Sequence, residues 1–314
     1  MEGIMPASTS VPSFSLCICT RNHPAGLRRA LHSAFASSVP PHQLLVSDDS
    51  TNYDTRQMMR AEFPAVRYLE GPRRGNAANR NRMLPVITGS HVLFMDDETV
   101  LCQTFLQQVA ERIADDNVYR RVGTGGATPL IVTGPSLSDG QKCKPKKSSF
   151  LGYPSLNYCH GERLCSVVLH STVFPSELFR HVAFDERLAG GYDVIDLASH
   201  VVLDGGCRIE WLPSAANQHI PGAEPLDAGH LAEASRIYAT LHRYSHYQHR
   251  RVKAGIFLLL ALAHSLASNL HRSGLRGATA FCATARSLWA HLRSPARAGI
   301  ATTSGDIGAN LTQG

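Results

Sequence analysis

Two acidic clusters in the sequence follow apolar runs, and the second of them has the composition of a cation site. The first, Asp48 and Asp49, follows a short apolar run at residues 43–46. The second, Asp96, Asp97 and Glu98, follows the apolar run HVLFM at residues 91–95. Carboxylates are hard oxygen ligands that suit Mg²⁺ or Mn²⁺, and such a cation can clamp a diphosphate as it leaves. An acidic triplet alone more often marks a solvated turn, so the apolar run before it is the feature that favours a site.

Apolar runs alternate with amphipathic stretches over residues 14–114. Strands are predicted at residues 14–20, 43–46, 66–69 and 91–95, and helices at residues 24–35, 54–63, 75–87 and 104–114. This alternation predicts a parallel sheet with helices on both faces. Ligands of such sheets bind beyond the carboxyl ends of the strands, so both acidic clusters should face one crevice.

The composition changes after this alternating region. Residues 121–157 are rich in Gly, Ser, Pro and Lys, which predicts a strand near residues 130–133 followed by a mobile basic loop. Beyond the loop we expect a strand over residues 163–174 and a helix from Ser176. A last strand over residues 207–212 should then lead to Gln218 and His219.

Five sequence segments, taken in order, carry a family resemblance. They are SLCICTRNHPAGLRRAL, LLVSDDST, GNAANRN, VLFMDDE and FDERLAGGYDVIDLASHVVLDGGCRIEWLPSAANQH, which span roughly residues 13–220. The ordered set resembles the family 2 glycosyltransferases of the GT-A fold. The resemblance implies an α/β fold of the GT-A, Rossmann-like type, with a mostly parallel sheet and helices on both faces. It also implies an inverting enzyme that moves a sugar from a nucleotide-diphosphate sugar to a hydroxyl of a saccharide or lipid-linked acceptor, in cell-surface or extracellular polysaccharide synthesis.

The same resemblance assigns the side of the site that binds the nucleotide. Thr20 and Arg21, at the turn after the first strand, would line the nucleotide pocket. Asp49 would accept a hydrogen bond from the base. Arg80 would contact the diphosphate or the sugar, with Asn81 beside it in the same motif. Without the resemblance, Asp49 could be an ordinary turn residue and Arg80 a surface charge.

The resemblance also implies a divalent cation, Mg²⁺ or Mn²⁺, on the second acidic cluster. Asp96 would contact the ribose or a metal-bound water, Asp97 would support it, and Glu98 would ligate the metal directly. The family usually has an aspartate where this chain has Glu98, which places the charge one methylene further out. His219 matches a histidine that can complete the metal shell.

Asp193 matches the aspartate of the family's Glu-Asp pair and would be the general base on the acceptor hydroxyl. Tyr192 replaces the glutamate of that pair, at a position that shapes the acceptor pocket. Asp196 remains an alternative base, although we favour the interpretation that it is a polar residue on a helix face.

The C-terminal third of the chain is strongly basic. Residues 234–305 contain ten Lys or Arg and no Asp or Glu, in a chain whose formal net charge is +6. The apolar stretch at residues 254–263 is too short to span a bilayer. A second amphipathic segment follows at residues 278–292. Together with the basic charge, the two segments favour helices that lie on an anionic membrane surface. The alternatives are packing on the catalytic body or a dimer interface. We read His242, His246 and His249 as a solvated helix face.

The expected domain organisation follows from these segments. We predict a disordered lead-in at 1–12, the GT-A domain at 13–222, a basic helical region at 223–300 and a disordered tail at 301–314. The start lacks the features of a secretory signal, and no pair of the eight cysteines has CxxC spacing. We therefore expect a cytoplasmic protein, or one that is peripheral on the cytoplasmic face of the membrane.

Other functions stay open at this level. A sugar nucleotidyltransferase would show a Gly-rich phosphate loop after the first strand, where this chain has Thr20, Arg21 and Asn22. A degenerate, non-catalytic assembly partner is the second alternative, which Tyr192 and Glu98 keep open. Nucleic acid is not an expected partner, because a stacking platform and a known binding motif are missing.

Overall fold

Residues 11–121, 128–188, 190–220 and 229–294 are described by the computed structural model. Of the predicted lead-in and tail, residues 1–10 and 301–314 lie outside these ranges, as does the predicted domain junction at 222–223. The strands in the described ranges are β1 (Phe14–Thr20), β2 (Gln43–Asp48), β3 (Arg67–Glu70), β4 (His91–Asp96), β5 (Thr99–Val100), β6 (Leu130–Thr133), β7 (Ser136–Ser138), β8 (Gln141–Cys143), β9 (Lys147–Ser148), β10 (Pro154–Leu156), β11 (Thr172–Pro175), β12 (Arg208–Trp211) and β13 (Asn217–His219).

Seven of these strands form the central sheet, in the order β12-β6-β11-β4-β1-β2-β3. Strand β1 pairs in parallel with β2 and with β4, and only β11 runs against its neighbours. The register places Thr20 opposite Asp48 and Cys19 opposite Asp96. The carboxyl ends of β1, β2 and β4 therefore lie at one edge, so both acidic clusters are at the same edge of the sheet, as predicted.

Helices cover both faces of this sheet, as the alternation predicted. They are α1 (Pro24–Phe35), α2 (Asp54–Glu62), α3 (Asn76–Asn81), α4 (Phe105–Arg121), α5 (Asp193–Leu203), α6 (Gly229–His242), α7 (Arg251–Ser273) and α8 (Gly277–Arg293). Successive side chains of a strand point to opposite faces. Leu16 and Ile18 of β1 accordingly pack with α1, α2 and α4, whereas Cys17 and Cys19 pack with α5.

The region after β6 differs from its prediction. Instead of a mobile loop, it forms β7, β8, β9 and β10, which are strands of two or three residues. Strands β5, β13, β7 and β8 form a second sheet in that order. The Ser-rich and Lys-rich composition concealed these strands, because such short edges satisfy backbone hydrogen bonds without an apolar run. Two further predictions were wrong. The strand predicted at 163–174 is confined to Thr172–Pro175. The strand predicted as the last one, β12, is followed by the short strand β13.

The C-terminal helices pack on the catalytic body. Residues of α6, α7 and α8, among them Ile237, Phe257 and Leu288, share one buried cluster with Leu188 and Tyr192. The apolar stretch predicted as too short to span a membrane belongs to α7, which has 23 residues. By length and composition alone, the helical segment Arg251–Arg293 could cross a membrane, with a mean hydropathy of 1.4 in its most apolar window.

Candidate active site

The turns that follow β1 and β2 are tied to each other. The Asn22 amide donates to Ser50 Oγ at 2.7 Å, and Asn22 Oδ1 accepts from the Thr51 amide at 2.9 Å. The Asp49 amide donates to the Thr20 carbonyl at 2.9 Å. Asn22 has a φ of 54°, a left-handed conformation that asparagine tolerates better than most residues. Two predicted nucleotide-binding residues, Thr20 and Asp49, are thus held in one rigid unit.

Asp49 is almost fully buried behind this unit. Its side chain accepts a hydrogen bond from the Arg73 amide through Oδ1, at 2.8 Å. Burial raises the pKa of Asp49. Gly71 packs so closely that a Cβ atom there would lie 2.1 Å from Asp49 Oδ1 and 2.6 Å from Asn79 Oδ1. The turn after β3 therefore fixes where the Asp49 carboxyl points.

Asp48 faces a different environment from Asp49. Its carboxylate accepts from the Tyr68 hydroxyl at 2.7 Å and from the Ser50 amide at 2.8 Å. Burial and the neighbouring Asp48 raise the pKa of Tyr68 to about 12. These side chains line a small cavity beside the crevice, of about 100 Å³. Asp48 is consequently part of the support for the β2 end.

Asp97 connects the end of β4 to the end of β1. Its Oδ2 accepts from Thr20 Oγ1 at 2.6 Å and from the Arg21 amide at 3.3 Å. Its Oδ1 lies 3.3 Å from His23 Nδ1. Burial raises the pKa of Asp97. These contacts give Asp97 the supporting position that the sequence suggested, and they bring it together with Thr20 and Arg21.

Glu98 and His219 meet through the second sheet. Strand β13 pairs with β5 so that His219 lies opposite Thr99, and His219 Nε2 lies 3.2 Å from Glu98 Oε2. Asp96 Oδ1 accepts from Thr99 Oγ1 at 2.6 Å. The ring of His170 stacks on His219 with centroids 5.0 Å apart, and burial lowers the pKa of His170 to about 4.

Part of a divalent cation shell can be built from this group. Within the ranges that the structure describes, no three His, Cys, Asp or Glu side chains are arranged around a common metal position. Glu98 and His219 nevertheless place an oxygen and a nitrogen donor side by side. Mg²⁺ sites typically combine one or two carboxylates with substrate phosphates and water. The residues present fit such a cation, provided that a diphosphate supplies further oxygens.

Arg80 and Asp193 form a buried ion pair between α3 and α5. Only 8% of Arg80 and 5% of Asp193 is exposed, and Arg80 Nη1 contacts Asp193 Oδ2. The Arg80 guanidinium also lies over the Phe184 ring, 5.4 Å from its centroid. Asp193 begins α5 directly after Gly191 and Tyr192, whose φ angles are 97° and 71°. Non-glycine residues in this conformation concentrate at functional sites.

Asn81 supports the segment that leads to Asp193. Its Nδ2 donates to the Phe184 carbonyl at 2.8 Å and to Glu186 Oε1 at 3.2 Å. Its Oδ1 accepts from the Phe184 amide at 3.0 Å. The structure therefore places this predicted substrate-binding residue in a contact that orders the chain beneath the Arg80 side chain.

The structure corrects our interpretation of Asp196 as a polar residue on a helix face. It is 6% exposed, and both carboxyl oxygens accept from the Tyr247 hydroxyl at 3.2 Å. Burial raises the pKa of Asp196 to about 7. His242 Nδ1 lies 3.9 Å away, but burial lowers the pKa of His242 to about 4, so at neutral pH the contact is not an ion pair.

Two other expectations for this helical region have different outcomes. His242 is not on a solvated face, because it packs edge-on against Tyr247 with ring centroids 4.9 Å apart. His246 and His249 are exposed, as predicted. Tyr247 itself had no signal in the sequence. It lies in a π-helical turn, Arg243–Tyr247, far along the chain from the carboxyl group that it contacts.

The charges of the site converge on the end of β1. Arg80, Asp96, Asp49 and Asp97 all act electrostatically on the Cys19 thiol. Asp96, His219 and Arg80 act likewise on His170. The predicted donor-side residues Asp49, Asp96 and Asp97 therefore lie around one crevice, together with Arg80. His170 and Phe184 belong to it as well, although no pattern in the sequence pointed to them.

The fold is of the GT-A type, and solved structures of glycosyltransferases with that fold match the chain. The structure of S. aureus TarS 1-349 has a TM-score of 0.59 at 14% identity, over 90% of this chain and 81% of that one. Its complex with UDP-GlcNAc has a TM-score of 0.58 at 14% identity, with the same coverage. GalNAc-T7 with UDP, GalNAc and Mn²⁺ has a TM-score of 0.58 at 12% identity, over 77% of this chain and 50% of that one.

The family follows from the sequence match. Residues 15–164 match the family model described as Glycosyl transferase family 2. These residues therefore match a family 2 glycosyltransferase domain, and the predicted resemblance and fold are confirmed. No curated protein matches the chain by sequence. At the identities above, the solved structures establish the fold alone.

Proposed function

We propose that this glycosyltransferase is an inverting enzyme that uses a nucleotide-diphosphate sugar as donor and a hydroxyl of a saccharide or lipid-linked acceptor. The observation that carries the proposal is that Asp49 and Asp96 border the end of β1, at Thr20 and Cys19, while Arg80 is paired to Asp193. A donor pocket and a buried carboxylate thus adjoin in one crevice. Polysaccharide synthesis is the context that we propose for this reaction.

The donor side would use the rigid unit after β1 and β2. Thr20 and Arg21 would border the nucleotide, and Asp49 would accept a hydrogen bond from the base through the oxygen that does not bind Arg73. TarS has been solved with UDP and with UDP-GlcNAc, and GalNAc-T7 with UDP. On that likeness we propose a uridine nucleotide as the first donor class to examine.

A divalent cation would be held by Glu98 and His219, with Asp96 beside it. Bound there, the cation would neutralise the charge of the diphosphate. The GalNAc-T7 structure contains Mn²⁺ together with UDP, which supports the choice of cation. Arg80, whose guanidinium has five N–H donors, can bind a diphosphate oxygen while it keeps its contact with Asp193.

Asp193 would act as the general base. Its carboxylate takes the proton of the acceptor hydroxyl while that oxygen attacks the anomeric carbon. The bond from that carbon to the diphosphate oxygen breaks in the same displacement, and the diphosphate leaves with the electron pair. A single displacement of this kind inverts the anomeric configuration. The contact with Arg80 would position the carboxylate, which lies at the start of α5 directly after the left-handed residue Tyr192.

Diphosphate release from a panel of sugar nucleotides tests the proposal. We expect the full chain to release nucleoside diphosphate from at least one UDP-, GDP- or dTDP-sugar with Mg²⁺ or Mn²⁺, and to stop in excess chelator. Glu98→Gln should lose the metal response and keep its fold. Full activity in chelator would contradict the metal site. Release of pyrophosphate from a nucleoside triphosphate and a sugar phosphate would instead identify a nucleotidyltransferase.

A further inference from the structure

One side of α7 is apolar and exposed along most of the helix. This outer face of α7 is formed by Val252, Ile256, Leu259, Leu260, Ala263 and Leu270. The exposed fraction is 79% for Val252 and 72% for Leu259. Leu275, in the turn after α7, is 91% exposed. Large apolar side chains that are contiguous and exposed mark an interaction surface.

The opposite side of α7 is committed to the protein. Ala254, Phe257, Ala261 and Ser265 are buried, at the spacing of one helix face. Phe257 contacts the rings of Phe150 and Tyr244. Lipid therefore cannot surround α7 while it keeps these contacts. A partner can reach only the outer face, which suits a surface contact in the membrane plane and not a span.

Basic side chains lie at both ends of α7, beyond the two ends of the outer face. Arg250 and Arg251 lie where α7 begins, and Arg272 and Arg276 lie where it ends, all of them exposed. Among the side chains that the structure describes, no acidic group pairs with any of these four arginines. Residues 234–305 contain no Asp or Glu at all. An exposed apolar stripe can be buried in a lipid interface, and basic side chains near it are attracted to an anionic leaflet.

The charge pattern also distinguishes a membrane from a second copy of the chain. If two outer faces paired in antiparallel, the basic end with Arg250 and Arg251 of one copy would lie near the basic end with Arg272 and Arg276 of the other. Parallel pairing would place each basic end near the same end of the other copy. Both arrangements bring like charges together without an acidic partner, whereas an anionic leaflet complements both ends at once.

We propose that the outer face of α7 docks on an anionic membrane surface, with the helix axis in the membrane plane. The docking is independent of the sugar transfer proposed above, since it needs neither donor nor acceptor. Combined with that transfer, it would hold the enzyme at the surface that carries a lipid-linked acceptor, since Tyr247, between α6 and α7, ties the C-terminal helices to Asp196 on α5.

Co-sedimentation of the full chain with vesicles tests this proposal. We expect binding to vesicles of equal parts phosphatidylcholine and phosphatidylglycerol, weakening as salt rises, and little binding to phosphatidylcholine alone. Leu259→Glu should reduce the affinity at least about tenfold, since it puts a charge in the apolar stripe. Arg251→Glu should reduce it at least about fivefold, the effect of one basic residue near an anionic surface.

Val118→Glu is the matched control, because Val118 on α4 is 56% exposed and lies outside the C-terminal helices α6, α7 and α8. It should bind vesicles like the unmodified chain. Equal binding by Leu259→Glu and Val118→Glu, or equal binding to neutral and anionic vesicles, would overturn the proposal. So would a chain that ignores vesicles but changes from dimer to monomer in sedimentation velocity on Leu259→Glu. Diphosphate release, measured separately without vesicles, distinguishes these failures from failure of the transferase assignment.

Discussion

Asp193 and Asp196 lie one helical turn apart on α5, and their surroundings differ in charge. Asp193 contacts the guanidinium of Arg80, whereas the hydroxyl of Tyr247 is the hydrogen-bond donor to Asp196. A buried carboxylate is costly unless it is paired with an opposite charge. The pair with Arg80 suits a carboxylate that must remain charged, whereas the neutral donor beside Asp196 accompanies a pKa raised to about 7.

Asp196 should therefore influence how stability depends on pH. Its pKa rises from 3.8 to about 7 on folding, mainly through burial and the charge of Asp185. The folded state binds this proton more tightly than the unfolded state. Its contribution to the free energy of unfolding consequently falls as pH rises from about 4 to about 7. Nearby Arg187 and the hydroxyl of Tyr247 oppose the shift without cancelling it.

Asp196→Asn removes the ionisation and keeps an acceptor for Tyr247. We expect the variant to match the unmodified chain at pH 5 and to be more stable at pH 8 by roughly 2 kcal/mol, since each pKa unit corresponds to about 1.4 kcal/mol. Denaturant unfolding at the two pH values measures this. Asp139→Asn, at an exposed turn, should change neither value. An Asp196→Asn chain that is less stable at pH 8 would show that the charged form is the favoured one.

Single residues could be identified from sequence where an acidic side chain directly follows an apolar run. Asp96 meets that condition and is the last residue of β4, whereas Asp49 stands three residues after its apolar run and directly follows β2. The partner of Asp196 could not be found in this way. Tyr247 is 51 residues away and comes from another structural layer, so only tertiary packing reveals the contact.

The connection from β3 to α3 fixes the surroundings of Asp49, in the proposed donor pocket. Gly71 lets the chain pass directly behind Asp49, and its amide donates to the Asp48 carbonyl at 2.9 Å. The Arg73 amide then binds the Asp49 side chain at 2.8 Å. The position of Asp49 thus depends on an element that does not itself carry a proposed catalytic group.

Gly71→Ala should weaken nucleotide binding. The added Cβ would lie within 2.1 Å of Asp49 Oδ1, and Asp49 is too deeply buried to yield without moving the β2 end. We expect the affinity for UDP to fall at least about tenfold, as overpacking of a tight site costs about 1–3 kcal/mol. Calorimetric titration measures it. Gly255→Ala is the control, because no atom lies within 4 Å of a Cβ at Gly255. Unchanged affinity in Gly71→Ala would exclude Asp49 from the nucleotide contact.

Long apolar strands were predictable as elements, and short polar strands were not. The parallel strands β1, β2 and β4 are buried on both faces, so their apolar runs stand out in the sequence. Strands β7 and β13 have three residues each, SLS and NQH, which resemble loop composition. The pairing of β13 with β5 brings Glu98 to His219, and the sequence alone could not supply that register.

At the scale of the whole molecule, the catalytic body and the C-terminal helices form one packed unit. Leu151, Leu188 and Tyr192 of the body pack in the same cluster as α6, α7 and α8. Arg236 of α6 is 1% exposed and lies over the Tyr153 ring at 4.1 Å. Removal of the helices would expose this layer, so point variants on the outer face of α7 are better probes than a truncated chain.

The proposed sugar transfer depends most on Asp193 as the general base. The turnover rates of Asp193→Asn and Asp196→Asn, measured side by side, test that role directly. With a donor that the full chain turns over, we expect Asp193→Asn to lose about a hundredfold or more in rate, in line with general-base contributions, and to bind the nucleotide with little change. Thermal unfolding must show that both variants are folded, because Asp193→Asn leaves Arg80 buried beside a neutral amide. Asp196→Asn should keep most of the rate. A crippled Asp196→Asn with a nearly normal Asp193→Asn would contradict the account and move the base one helical turn along α5.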